Sequence, residues 1–265
     1  MPYTKDARRL YYQTVGKGTP IIFIAPPAMG HLTFHYQTLL KNDYRIITFD
    51  NRGDCRSTCP DHSMTFDDLV DDVNRIMEAN DIQKAIICGY SNGGLIAQKF
   101  TITYPEKVIG LMLIGGYYAP KNILLRIEYH FGIWIAKKKS IPLLAKALSF
   151  NHFRDKKVAE RMESEIKRTN PFLLKQQYQL GLDVSNEDLL HVIKVPLLLI
   201  YGANDKYVHD YQYYFRNQIS EVDVAYVHRS KHQVPTKYFH ECNAIIKEWT
   251  TRKGLLPLRY AKNIT

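Results

Sequence analysis

The sharpest chemical signal in the chain is a serine with a glycine two residues to either side, Gly89-Tyr90-Ser91-Asn92-Gly93. An apolar strand-like run, residues 85–90, leads into it, and a helix pattern over residues 92–104 leads out. A tight strand-to-helix turn strains the serine backbone and leaves little room for side chains two residues away, a demand that the glycines meet. Such a turn lifts the Ser91 hydroxyl above the sheet and places it at a helix N-terminus, where developing negative charge is favoured. A serine hydroxyl is a weak nucleophile, so it needs a base, and the base needs an orienting acid.

The acid is expected just beyond a later strand. Residues 195–202 form that strand, and Asp205 follows it at the carboxyl end. No acidic residue follows the preceding strand at Gly115-Gly116-Tyr117-Tyr118-Ala119-Pro120, so the competing position is empty. The base is expected after the last strand. His232 fits, since it lies beyond residues 223–228 and before a C-terminal helix pattern, while His228 reads as part of the strand. The constellation is therefore Ser91 as nucleophile, His232 as base and Asp205 as orienting acid.

These residues need a scaffold, and the chain supplies one by alternation. Short apolar runs at 20–25, 44–50, 85–90, 108–115 and 195–202 read as buried parallel strands. Residues 9–15 and 223–228 add strands, the former antiparallel near an edge. Helical segments lie between them. The clearest, residues 65–80, starts with a threonine cap and an acidic first turn, with Phe66, Leu69, Val73 and Ile76 at helical spacing. The expected fold is a doubly wound α/β class with a mostly parallel sheet of about eight strands. The alternation stops near residue 118 and resumes near 188. The interval, helical in pattern with breaks at Gly132, Pro142 and Pro171, reads as a lid inserted after the sixth strand, over the end of the sheet where such folds bind ligands. The expected organisation is a core of residues 1–117 and 188–265 with a lid of 118–187.

Beyond the triad, Asp50-Asn51-Arg52-Gly53-Asp54-Cys55-Arg56-Ser57 resembles the D-x-R-G-x-G-x-S turn of the α/β-hydrolase superfamily, and the sequence is similar to that superfamily along nearly its whole length. The chain order Ser, Asp, His agrees. Two departures stand out. Cys55 replaces the usual glycine of the turn. The superfamily's H-G-x-x-G oxyanion loop is represented by Pro26-Pro27-Ala28-Met29-Gly30, which keeps only the final glycine. The resemblance implies an oxyanion hole made by the backbone N–H groups of Ala28 and Asn92. Pro27 has no N–H, so a one-residue shift that put Pro27 at the donor position would remove half the hole. His31, just past the loop, faces either the pocket or solvent. The implied chemistry is hydrolysis of a carboxylic ester or similar acyl bond through an acyl-enzyme, with no metal or organic cofactor. Relatives that open epoxides or displace halide carry an aspartate at the elbow, and Ser91 argues against both. Hydrolysis of a C–C, amide, lactone or thioester bond would use the same triad. A ligand-sensing member with little turnover is the remaining alternative, kept open by Pro26-Pro27.

Composition bounds the partners. The formal net charge is +10, and the segment 119–185 alone carries +7 of it. No nucleic-acid-binding motif accompanies that charge, so a small-molecule substrate is expected and nucleic acid is not. The apolar side chains of residues 123–135, followed by Lys137-Lys138-Lys139, would serve as packing, as pocket lining or as contact with a membrane surface. The start of the sequence has no apolar signal region and no run reaches bilayer length, so a cytoplasmic location is expected. Cys55, Cys59, Cys88 and Cys242 are expected as free thiols. Cys55 and Cys59 stand near His62, but no second ligand pair follows at zinc spacing.

Overall fold

A computed structural model of the chain describes residues 2–7, 9–59 and 63–256. His62 lies outside the described residues. Seven strands form one sheet: β1 (Tyr12–Val15), β2 (Thr19–Ile24), β3 (Tyr44–Phe49), β4 (Ala85–Tyr90), β5 (Val108–Ile114), β6 (Leu197–Gly202) and β7 (Val222–Val227). Their order is β1-β3-β2-β4-β5-β6-β7, with β1 antiparallel to β3 and every other pair parallel. Among the described residues the sheet has seven strands, close to the expected eight, and the helical insertion follows the fifth of them.

The central strands are apolar throughout because both faces are covered. Ile22, Ile24 and Ile87 face one buried cluster, while Ile21, Phe23, Ile86 and Cys88 face the other. This two-residue alternation distributes a continuous apolar run over two cores. Helices α1 (Phe66–Ala79) and α2 (Gly93–Thr103) pack Leu69, Val73, Ile76, Leu95 and Phe100 into the first cluster. The C-terminal helix Phe239–Arg252 sends Ile246 and Trp249 into the second.

Helix α1 starts where the sequence indicates. Thr65 accepts from the Asp68 N–H at 3.1 Å, and Asp68 Oδ2 accepts from the Thr65 N–H at 2.9 Å, a reciprocal capping box. Thr65→Ala is expected to cost about 1 kcal/mol, the usual worth of such a cap, read as a shift of the urea midpoint at constant slope.

The turn after β3 is held by ionic contacts. Arg52 is fully buried and joins α1 through Nε to Asp72 Oδ2 at 2.6 Å and Nη2 to Asp72 Oδ1 at 2.7 Å. Cys55 takes a φ of 46°, the left-handed region that accounts for the glycine usual there. His31 is neither pocket-facing nor superficial. It is 3% exposed, and its Nδ1 lies 2.7 Å from Asp50 Oδ1, which also accepts the His31 N–H.

Between β5 and β6 the chain forms four helices, α3 (Ile123–Lys137), α4 (Ile141–His152), α5 (Lys156–Ile166) and α6 (Pro171–Asp183). Strands β2 and β4 are neighbours in the sheet, but their chains continue to opposite sides, β2 to β3 and β4 to β5. That switch point opens a crevice at the strands' carboxyl ends, where open α/β sheets bind ligands.

Candidate active site

Ser91 sits at the tip of the β4–α2 turn with a φ of 51°, a left-handed conformation that costs a non-glycine residue about 1–3 kcal/mol. Hydrogen bonds hold the turn: the Ser91 N–H donates to Ile114 O at 2.8 Å, and the Gly94 N–H donates to Ser91 O at 2.9 Å. A Cβ on Gly93 would lie 2.2 Å from Ile24 O, so the turn can sit this close to β2 only with glycine there. The strain and the glycine are two results of one packing demand.

The other two expected residues meet across the next loops. His232 Nδ1 lies 2.7 Å from Asp205 Oδ2, with the carboxylate side chain 1% and the imidazole 14% exposed. Tyr90 and Tyr207 flank the ring, with centroids 5.3 and 6.0 Å away. Gly115, at φ 58°, makes room for it, because a Cβ there would stand 2.6 Å from His232 Cε1. Burial pulls the His232 pKa down, but the hydrogen bond to Asp205 and the charges of Asp205 and Glu128 outweigh that, and the net shift is upward. His232 Nε2 and Asp205 Oδ1 are buried without a hydrogen-bond partner. An Nδ1–H given to Asp205 leaves Nε2 with a free lone pair, the state a general base requires. The rival His228 is exposed.

Ser91, Asn92 and His232 line one cavity of about 290 Å³, with α3 and α4 forming its outer wall. Ala28 does not join them, and the expectation for its N–H is corrected. That N–H donates to Asp54 Oδ2 at 2.9 Å, and Ala28 is completely buried. Met29 N–H donates to Pro26 O at 3.2 Å, while Pro26 and Pro27, which do line the cavity, have no N–H. Asp54 reaches the loop because Gln177 of α6 holds its other oxygen at 2.9 Å. Asn92, the other residue of the expected pair, directly follows Ser91 and lines the cavity.

Several groups around Ser91 were not anticipated. The Asn92 side chain donates to the Tyr129 hydroxyl at 2.6 Å, and Tyr129 lies 2.8 Å from the Tyr117 hydroxyl. Burial raises the Tyr117 pKa, and hydrogen bonds from Tyr129 and Ser91 offset part of that rise. Tyr117 occupies the segment after β5 where an acid was sought and found missing. On the opposite wall, His152 is held neutral, its pKa lowered to about 4 chiefly by burial, with Nδ1 on Leu148 O at 2.8 Å. The Tyr90 hydroxyl lies 3.2 Å from His232 O and 3.3 Å from His152 Nε2, and its single proton serves one of them at a time. Glu128 on α3 lines the cavity, its pKa raised chiefly by burial. In the sequence these residues are an ordinary tyrosine pair and scattered positions of the helical insertion. The only available signal was Gly115-Gly116, small residues beside a site.

Comparison with known proteins adds the family. Residues 27–233 match the model described as the alpha/beta hydrolase fold. An AB hydrolase superfamily protein of Bacillus subtilis is 27% identical over 221 residues, covering 77% of this chain and 80% of that protein. A putative non-heme bromoperoxidase of Mycobacterium tuberculosis is 35% identical over 109 residues, 40% of this chain and 41% of that protein. Among solved structures, a carboxylesterase of the thaumarchaeon Nitrososphaera gargenis superposes with TM-score 0.80 at 21% identity, covering 96% of this chain and 98% of that one. The Exiguobacterium antarcticum esterase superposes with TM-score 0.81 at 18% identity, covering 94% and 98%. At such identities these two structures bear on the fold alone. With the family model matching more than half of its length, the chain belongs to the α/β-hydrolase fold family.

Proposed function

We propose that the chain is a serine hydrolase that cleaves a carboxylic ester or similar acyl bond of a small, partly apolar substrate. The observation that carries this reading is the 2.7 Å contact of His232 Nδ1 with buried Asp205, which leaves His232 Nε2 unpartnered in the cavity that Ser91 lines. In the proposed cycle Ser91 Oγ attacks the substrate carbonyl carbon while its proton passes to His232 Nε2. The tetrahedral oxyanion is held by the Asn92 N–H. The C–O bond to the alcohol then breaks, and the imidazolium gives the departing oxygen its proton. Water, deprotonated by the same nitrogen, releases the acid and restores Ser91. Asp205 keeps the imidazole in one tautomer and stabilises it when charged.

The cavity is near the small end of the range for ligand pockets and is mostly apolar, which favours short acyl groups. Steady-state hydrolysis of p-nitrophenyl esters tests the reading. Acetate and butyrate are expected to exceed palmitate by about tenfold or more in kcat/KM. Ser91→Ala is expected to abolish turnover, and an unchanged rate in that variant would remove the serine from the mechanism.

A second reading is ligand sensing with little turnover, and one observation favours it. The Ala28 N–H is committed to Asp54, and the loss of a single oxyanion donor typically costs about 10²–10³ in rate. Multiple turnover separates the two readings, since a sensor would bind the ester while releasing its alcohol no faster than Ser91→Ala does.

A further inference from the structure

Helix α3 is apolar on two opposite sides, and among the described residues one of them is left exposed. Leu125, Tyr129, Ile133 and Ala136 are buried against the protein. Ile123, Leu124, Ile127, Phe131 and Trp134 are each at least half exposed, among the largest exposed apolar side chains described. At about 100° per residue these five fall within a stripe roughly 100° wide. Arg126, His130 and Lys137 border one edge of that stripe, and Lys138 and Lys139 follow directly. Helix α4 also exposes Leu143 and Phe150, and Lys146 lies between them at helical spacing. From residue 121 to residue 152 there are six lysines and arginines and a single acidic residue, Glu128. Glu128 is exposed beside the other edge of the stripe and Lys121 is paired with Glu187, so the positive excess of this surface rests on Arg126, Lys137, Lys138, Lys139 and Lys146.

We propose that this face of α3 and α4 is an interfacial surface that docks on an anionic lipid membrane. An amphipathic face with large apolar residues and a bordering row of lysines matches what binds at the boundary of headgroups and acyl chains. The apolar side chains enter that boundary, while the flanking cations remain at the level of the anionic headgroups. Charge decides between this occupant and a second copy of the chain. Two copies meeting through the stripe would bring two sets of Lys137–Lys139 to one interface, whereas an anionic surface complements them. Position gives docking a consequence. The cavity holding Ser91 is walled by Gly132 and Phe131 of α3 and by Leu144, Ala147 and Leu148 of α4. Phe131 is at once cavity lining and part of the exposed stripe. A molecule dissolved in the leaflet it docks on would thus reach the cavity without crossing water.

The test is vesicle sedimentation of the full chain together with tryptophan emission, which is informative because Trp134 is half exposed and Trp249 is fully buried. With phosphatidylcholine vesicles containing about one-third phosphatidylserine, the protein is expected to co-sediment and its emission to move to the blue, and high salt is expected to release it. Replacing Lys137, Lys138 and Lys139 together by glutamine is expected to weaken binding about a hundredfold. Ile127→Ser is expected to weaken it about tenfold. Because all these side chains are exposed, the thermal midpoint of each variant is expected to match the wild type. Equal binding to pure phosphatidylcholine, or no binding to either vesicle, would overturn the proposal. A blue shift that grows with protein concentration in the absence of lipid would also overturn it, by assigning the face to a second copy.

Discussion

Asp205→Asn is expected to lower kcat for any ester the chain turns over by about 10⁴ while leaving KM and stability nearly unchanged. The size follows from the tautomer. Asp205 can only accept, so the His232 proton stays on Nδ1 at 2.7 Å and Nε2 faces the cavity as a base. An asparagine amide can turn its NH₂ group toward Nδ1, and nothing in the surroundings prevents this, because Asp205 Oδ1 has no partner to fix the orientation. The proton then moves to Nε2, which can no longer receive the one from Ser91. The same substitution carries a pH signature. The His232 pKa is raised because the hydrogen bond and charge of Asp205, with Glu128, outweigh burial. Without the carboxylate charge burial wins, so the acid limb of log kcat/KM against pH is expected to move to lower pH. A small rate loss with an unmoved limb would mean that Asp205 is structural and that another group orients the base.

The places of Ser91, Asp205 and His232 were legible because each is tied to a local steric or topological demand. Gly93 must be small because Ile24 O is 2.2 Å from where its Cβ would be, and this demand shows in five residues of sequence. Asp205 and His232 follow strands whose apolar runs are unmistakable, and position at a strand's carboxyl end places a side chain over the crevice. The sheet was legible for the same reason, the expected count of about eight strands being close to the seven described.

What could not be read depends on contacts distant in sequence. Ala28 is a reasonable donor by spacing, and only the fold brings Asp54 to it from 26 positions away. Asp54 is in turn fixed by Gln177, from a helix whose packing no pattern within the chain specifies. The tyrosines around Ser91 share this character. Tyr117 follows β5, Tyr129 lies on α3, and their 2.8 Å contact arises from how the helices settle on the sheet. Apolar periodicity predicts that α3 is a helix, but not which of its two apolar sides meets the protein. That choice depends on packing partners elsewhere in the chain.

Asp54→Asn is expected to stabilise the protein near neutral pH by up to about 4 kcal/mol, an unusual sign for a substitution in a hydrogen-bonded core. Asp54 is fully buried, and burial, helped by the charge of Asp50, pushes its carboxyl up to about 8, although hydrogen bonds from the Ala28 N–H and from Gln177 oppose the shift. In the unfolded chain the group has its ordinary value of 3.8. Between these two values the folded protein holds a proton that the unfolded chain has released, so stability is greatest at low pH. It declines as pH rises through that window and levels off above the folded value. Asparagine does not ionise in either state and removes this loss. Its carbonyl can keep the Ala28 N–H, while its NH₂ group faces Gln177, and turning that amide over to accept exchanges its 3.3 Å bond to Arg52 O for the new one. Urea unfolding at about pH 4 and pH 7.5 measures the effect. The variant should match the wild type at the acid end and exceed it at the neutral end, with the gap opening through the window that the Asp54 titration defines. An equal difference at both pH values would show that the carboxyl ionises normally in the fold, and that Asp54 clamps the loop before Ser91 as a charged group.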